Sequence, residues 1–114
     1  MTDINFTVDR ERFVFDCRGH AGTDGKGNDI VCAGISALCI ALAVTLKALE
    51  ETGNVFLSEF GTDDALLHIS GEYAGDGLEK IRTGAAMITV LNGLTEIEKM
   101  YPGHLRVMTD YTGD

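Results

Sequence analysis

A histidine, a glycine-rich connection and a cysteine follow one another in the stretch Gly19-His20-Ala21 through Asp29-Ile30-Val31-Cys32-Ala33-Gly34-Ile35-Ser36. A thiol attacks a carbonyl carbon only as thiolate, so it needs a proton acceptor near the sulfur and hydrogen-bond donors for the developing oxyanion. Cys32 opens a long apolar run. A helix beginning at Asp29 places it in the first turn, where unpaired N–H groups and the helix dipole favour the thiolate. Amides around Val31 to Ala33 then line an oxyanion hole, and the short tether lets His20 fold back as general base. The residues alone leave Cys32 open between this role and that of a small core residue.

The neighbouring residues sort by the same physical test. Asp29 suits either a helix N-cap or the group that orients His20, and capping is the simpler use of an Asp ahead of a helix. Ser36, one turn beyond Cys32, faces the same site or bonds a preceding helix carbonyl. Gly22, Gly25 and Gly27 give the connection many backbone conformations, which suggests a gate that substrate orders over His20 and Cys32. Cys39 sits deep in the apolar run and Cys17 shares a strand face with Phe13 and Phe15, so both read as core. His68 reads as a strand residue and His104 as the entry to the last strand.

The elements that must position these groups follow from hydropathy. Ile4, Phe6 and Val8, then Phe13, Phe15 and Cys17, recur at period two and predict a β-hairpin ending near Arg18. Ile30 to Leu49 is almost wholly apolar and predicts a helix buried on nearly all sides. Its length suits a membrane span, but Asp29 and Glu50-Glu51 flank it instead of basic or aromatic anchors. Gly53-Asn54 ends it. Val55 to Phe60 and Ala65 to Ser70 predict a second hairpin. Leu78, Ile81, Ala85, Ile88, Leu91 and Leu94 recur at helical spacing, Pro102-Gly103 stops that helix, and Leu105 to Met108 form a short last strand before a frayed tail. The order ββαββαβ predicts an α+β two-layer sandwich, a mainly antiparallel sheet with two helices on one face.

A chain of 114 residues with 45% hydrophobic content forms one domain, residues 1–114. Its net charge of −9 argues against direct nucleic-acid or anionic-membrane binding and permits a basic peptide partner. The N-terminus lacks the pattern of a secretory signal, and three irregularly spaced cysteines give neither a disulfide framework nor a metal motif. A cytoplasmic protein without metal or cofactor is expected. Because the helix from Ile30 carries more apolar surface than one sheet can bury, a homodimer is expected too.

At Gly19-His20-Ala21 and Asp29-Ile30-Val31-Cys32-Ala33-Gly34 with Ser36, the sequence resembles the Prp family of bacterial ribosomal-processing cysteine proteases. The likeness extends through helix placement to Tyr101-Pro102. It implies His20 as general base and Cys32 as nucleophile, with Asp29 and Ser36 matching the family's motif positions. It further implies a homodimeric two-layer sandwich that removes a short N-terminal extension from a basic ribosomal protein, the large-subunit one numbered twenty-seven. The alternative is a non-catalytic dimer that binds a ribosomal protein or assembly factor. A redox sensor built on Cys32 is weaker, since Cys39 lies about 10 Å away along the helix.

Overall fold

The computed structural model of the chain describes residues 1–19, 28–62 and 67–111, and of residues 28 and 29 the backbone alone. The alternating N-terminal segment forms β1 (Thr2–Val8) and β2 (Arg12–Gly19), paired antiparallel with Phe6 opposite Phe15. The Asp9 carboxylate shapes the turn between them by accepting the Glu11 and Arg12 amides, both at 2.8 Å. Those two bonds hold its carboxyl below the usual range. α1 (Asn28–Glu51), β3 (Val55–Gly61), β4 (Leu67–Tyr73), α2 (Leu78–Met100) and β5 (Leu105–Tyr111) complete the predicted order.

The five strands lie in the order β3-β4-β2-β1-β5, antiparallel throughout except for the β1–β5 pair. One sheet face carries Ile4, Phe13, Phe15, Cys17 and Ile69 into the core with Leu42 and Leu46 of α1 and Leu94 of α2. Each such side chain contributes about 1.5–3 kcal/mol by leaving water. The helices approach closely where glycines face large residues. A methyl group at Gly93 would come within 2.9 Å of Leu38, and one at Gly34 within 3.1 Å of Ile97.

α1 ends at Gly53 (φ +80°), with the Gly53 amide bonding the Glu50 carbonyl and the Asn54 amide bonding Leu49. This is the Schellman pattern, which satisfies the last carbonyls and turns the chain into β3. Glu50 then accepts the Leu57 amide at 3.0 Å, and Lys47 lies 4.7 Å above the Phe60 ring. As the chain advances along β3 its contacts step backward along α1, so the two run antiparallel. β2 is two antiparallel pairings from β3 and therefore also runs antiparallel to α1.

Five expectations are corrected. α1 is not buried on nearly all sides: Ile30, Ile40 and Val44 are each more than 60% exposed, and only 28% of its most apolar window is buried. Of the expected α2 stripe, Leu91 and Leu94 are buried, joined by Thr83, Met87 and Val90, while Leu78, Ile81, Ala85 and Ile88 face outward. β5 continues to Tyr111, because it pairs with β1 along its whole length and sets Tyr111 edge-on to Phe6. α1 begins at Asn28, which places the Asp29 backbone inside the first turn instead of at the cap. In the second hairpin, expected to turn at residues 61–64, β3 takes in Gly61 and β4 runs past the expected end at Ser70 to Tyr73, while residues 63–66 lie outside the described residues.

Candidate active site

β2 delivers the site's first half through Gly19. Its φ of +88° is unfavourable for side-chain-bearing residues, and a methyl group there would meet the Met1 carbonyl oxygen at 2.5 Å. Glycine is therefore required just ahead of His20 by both backbone angle and space. His20, Gly22, Gly25 and Gly27 lie outside the described residues, as does the Asp29 side chain.

α1 delivers the second half. Cys32 is exposed, whereas Val31 and Ile35 beside it are 1% and 2% exposed and anchor the turn. Further along, Cys39 is buried in the core and lies close enough to Cys17 of β2 to push that thiol's pKa up. From that contact β2 runs two more residues to Gly19, about 7 Å, and α1, counted backward, rises about 10 Å to Cys32. Since the two elements are antiparallel, both displacements point the same way. The end of β2 and the turn holding Cys32 therefore occupy the same end of the molecule. At 100° per residue Cys32 and Cys39 differ by only about 20° around the helix, so Cys32 shares the flank that Cys39 turns toward β2.

The oxyanion donors expected at Val31 to Ala33 need revision. In a helix beginning at Asn28, the amides of Cys32 and Ala33 bond to carbonyls of the preceding turn, which removes them as free donors. Ser36 is exposed one turn beyond Cys32.

The other two histidines separate by position. His68 lies on the sheet face opposite the helices, half-buried, with Nδ1 2.8 Å from Asp16 and Nε2 3.0 Å from Glu59. The bond to Asp16, then that to Glu59, push its pKa up. With the sheet between it and α1, His68 is not the base for Cys32. His104 packs edge-on against Tyr101, and its carbonyl accepts the Thr2 amide. Sequence reasoning missed the Asp16–His68–Glu59 cluster, to which Ser70 adds a 3.0 Å bond on Glu59. These residues are far apart in sequence, and only strand register brings them together. Among the described residues, no group of three or more His, Cys, Asp or Glu gathers to hold a metal ion.

The family described as cysteine protease Prp matches residues 1–106. No curated protein matches the chain. Among solved structures, SMU.848 from Streptococcus mutans is 21% identical over 98% of this chain and 96% of that one, with a TM-score of 0.64. The essential ribosomal processing protease Prp from S. aureus, with a covalently linked product peptide, is 23% identical over 98% and 100%, with a TM-score of 0.66. The same S. aureus protease with a substrate peptide is 24% identical over the same shares, with a TM-score of 0.63. These likenesses agree with the five-stranded sheet and two-helix layer found here. With the family match spanning nearly the whole chain, the protein belongs to the Prp family and is a cysteine protease.

Proposed function

We propose that the protein is an endopeptidase that removes a short N-terminal extension from a basic large-subunit ribosomal protein, the one numbered twenty-seven, during ribosome assembly in the cytoplasm. Cys32 attacks the scissile carbonyl, and His20 takes the thiol proton and returns it to the leaving amine. The observation that carries this reading is the shared end of the molecule: β2 stops one residue before His20 at the end where α1 exposes Cys32. Asp29 is held in reserve as the group that orients His20, and Ser36 as a neighbour of the bound peptide. Support for the substrate comes from the S. aureus relative, a ribosomal processing protease solved with a substrate peptide. It also comes from the net charge of −9, which favours a basic partner.

A homodimer belongs to the same proposal. Ile40 and Val44 on α1 and Ile81 and Ile88 on α2 leave the helix layer with more exposed apolar surface than a solitary small domain usually carries. Incubating the extended ribosomal protein with the wild type and with Cys32→Ser tests the activity: cleavage by the first and not the second is expected, and cleavage by both overturns it. Sedimentation at micromolar concentration tests the assembly, with Ile40→Glu expected to shift a dimer to monomer. A wild type that sediments as a monomer removes the dimer.

A further inference from the structure

The sheet face turned away from the helices carries a groove of about 420 Å³ that the proposed hydrolysis does not use. β2 contributes Arg12 and Val14 to it, β4 contributes Ser70 and Glu72, and β3 contributes Phe56 and Glu59. A bulge between Leu57 and Glu59 shapes it. The extra residue turns both Ser58 and Glu59 to this face, where the Ser58 hydroxyl lies 3.1 Å from that of Ser70 and Ser70 donates to Glu59 at 3.0 Å.

The walls of the groove suit a cation. Phe56 is 60% exposed, its partner across the ladder is Glu72, and Glu59 follows it on the far side of the bulge. Both carboxylate side chains are more than half exposed. Glu59 uses only Oε1 for His68 and Ser70, and Glu72 holds Arg12 no closer than 4.0 Å. Two other rings already carry lysines of the chain itself: Lys47 lies 4.7 Å over Phe60 and Lys80 5.4 Å over Tyr73. Among the described residues no cation covers Phe56, which leaves a ring flanked by carboxylates for a cation from outside.

We propose that this groove is a second contact site for the substrate, in which a lysine or arginine of the basic ribosomal protein, from the part that follows the scissile bond, lies over Phe56 between Glu59 and Glu72. The inference rests on the protease reading above and adds where the body of the substrate is held. From Val14 to Gly19, at the active-site end, β2 rises about 17 Å, a minimum of about five extended residues. The short extension is then the part beside Cys32, and the basic body reaches the sheet. A net charge of −9 attracts such a body to the whole molecule, and the groove gives it a defined seat. Because Ile40, Val44, Ile81 and Ile88 belong to the helix layer on the opposite side of the sheet, the proposed dimer leaves the groove open.

The test compares the extended ribosomal protein with a synthetic peptide that carries the extension and stops shortly after the scissile bond, too short to reach the groove. The double variant Phe56→Ala/Glu72→Gln should raise KM for the full precursor by about fivefold to tenfold while leaving kcat and the short-peptide kinetics unchanged. Phe56→Lys, which sets a cation of its own in the groove, should reproduce the loss. The wild type's preference for the full precursor should shrink with added salt. Both positions are exposed, so thermal midpoints near that of the wild type are expected. Binding of the uncleaved precursor to Cys32→Ser, with and without the groove substitutions, gives the same comparison without turnover. A KM unchanged in the variants, or raised equally for the short peptide, overturns the contact site while cleavage by the wild type keeps the protease reading. Groove-dependent binding to Cys32→Ser with no cleavage by the wild type keeps the contact site and removes the hydrolysis. Absence of precursor binding overturns the contact site.

Discussion

Cys32 and Cys39 sit two turns apart on nearly one side of the same helix, in equally apolar sequence, yet one is exposed and the other buried against Cys17. Seven residues return almost to the same angle, so periodicity separates them by only about 20°. That small drift decides the outcome. The buried residues Val31, Ile35, Cys39, Leu42 and Leu46 span about 80° of the helix surface with Cys39 at one edge, and Cys32 falls just beyond that edge while Val31 beside it stays buried. The exposed thiol is available to substrate and the covered one is a packing group.

The largest expected effects test that division directly. Cys32→Ser should lower cleavage of the extended ribosomal protein by at least about 10³-fold, as loss of a covalent nucleophile does. Its thermal midpoint should stay near that of the wild type. Cys39→Ser should do the opposite, keeping most activity and losing about 1–3 kcal/mol of stability by setting a hydroxyl among apolar neighbours. Denaturation curves and cleavage rates measured on both variants check the pair. Abolished cleavage in a Cys39→Ser protein of undiminished stability would break the comparison.

A second contrast concerns the helix faces. Leu46 is fully buried and Val44, two residues earlier, is 64% exposed. Leu46→Ala should cost about 2–5 kcal/mol, and Val44→Ala less than about 0.5 kcal/mol in the monomer. Urea unfolding at a concentration below dimerisation reads both. A large cost at Val44 under those conditions would place that face against protein within the monomer.

The same helix shows where the sequence stopped being informative. The element order was legible because period-two and period-3.6 hydropathy are local, and Gly53 and Pro102-Gly103 punctuate them. Which face of α1 and α2 meets the sheet was not legible. Ile40 and Val44 are as apolar as Leu42 and Leu46, and in α2 the outward Leu78, Ile81 and Ile88 read as one stripe with the buried Leu91 and Leu94. Apolar surface that a single copy leaves exposed carries no mark distinguishing it from core. β5 was read short because Thr109 and Asp110 look like tail residues until the β1 ladder is laid beside them. Within the site, the motif was legible as residue types at a spacing. The helix start at Asn28, which takes the Asp29 backbone past the cap and the Cys32 and Ala33 amides into the ladder, was not.

The smallest expected effect lies on the face with no thiol at all. His68 bridges Asp16 of β2 and Glu59 of β3, and its pKa is raised from 6.5 by those bonds. Arg18 also reaches Asp16, at 2.7 Å. A base held above its unfolded value stabilises the fold fully below about pH 6.5 and loses that contribution as pH rises through the raised value. Glu59 is shifted the other way, lowered from 4.5 chiefly by the His68 bond, so its share is present above that pH and lost as acid protonates it. The two together are strongest between those limits. The thermal-midpoint difference between wild type and His68→Gln should therefore be greatest near about pH 5.5 and shrink toward about pH 8, while cleavage at the Cys32 end is little changed at neutral pH. A difference that grows with rising pH would mean that neutral His68 makes the stronger contacts, and a collapse of cleavage in His68→Gln would join the outer sheet face to the active-site end.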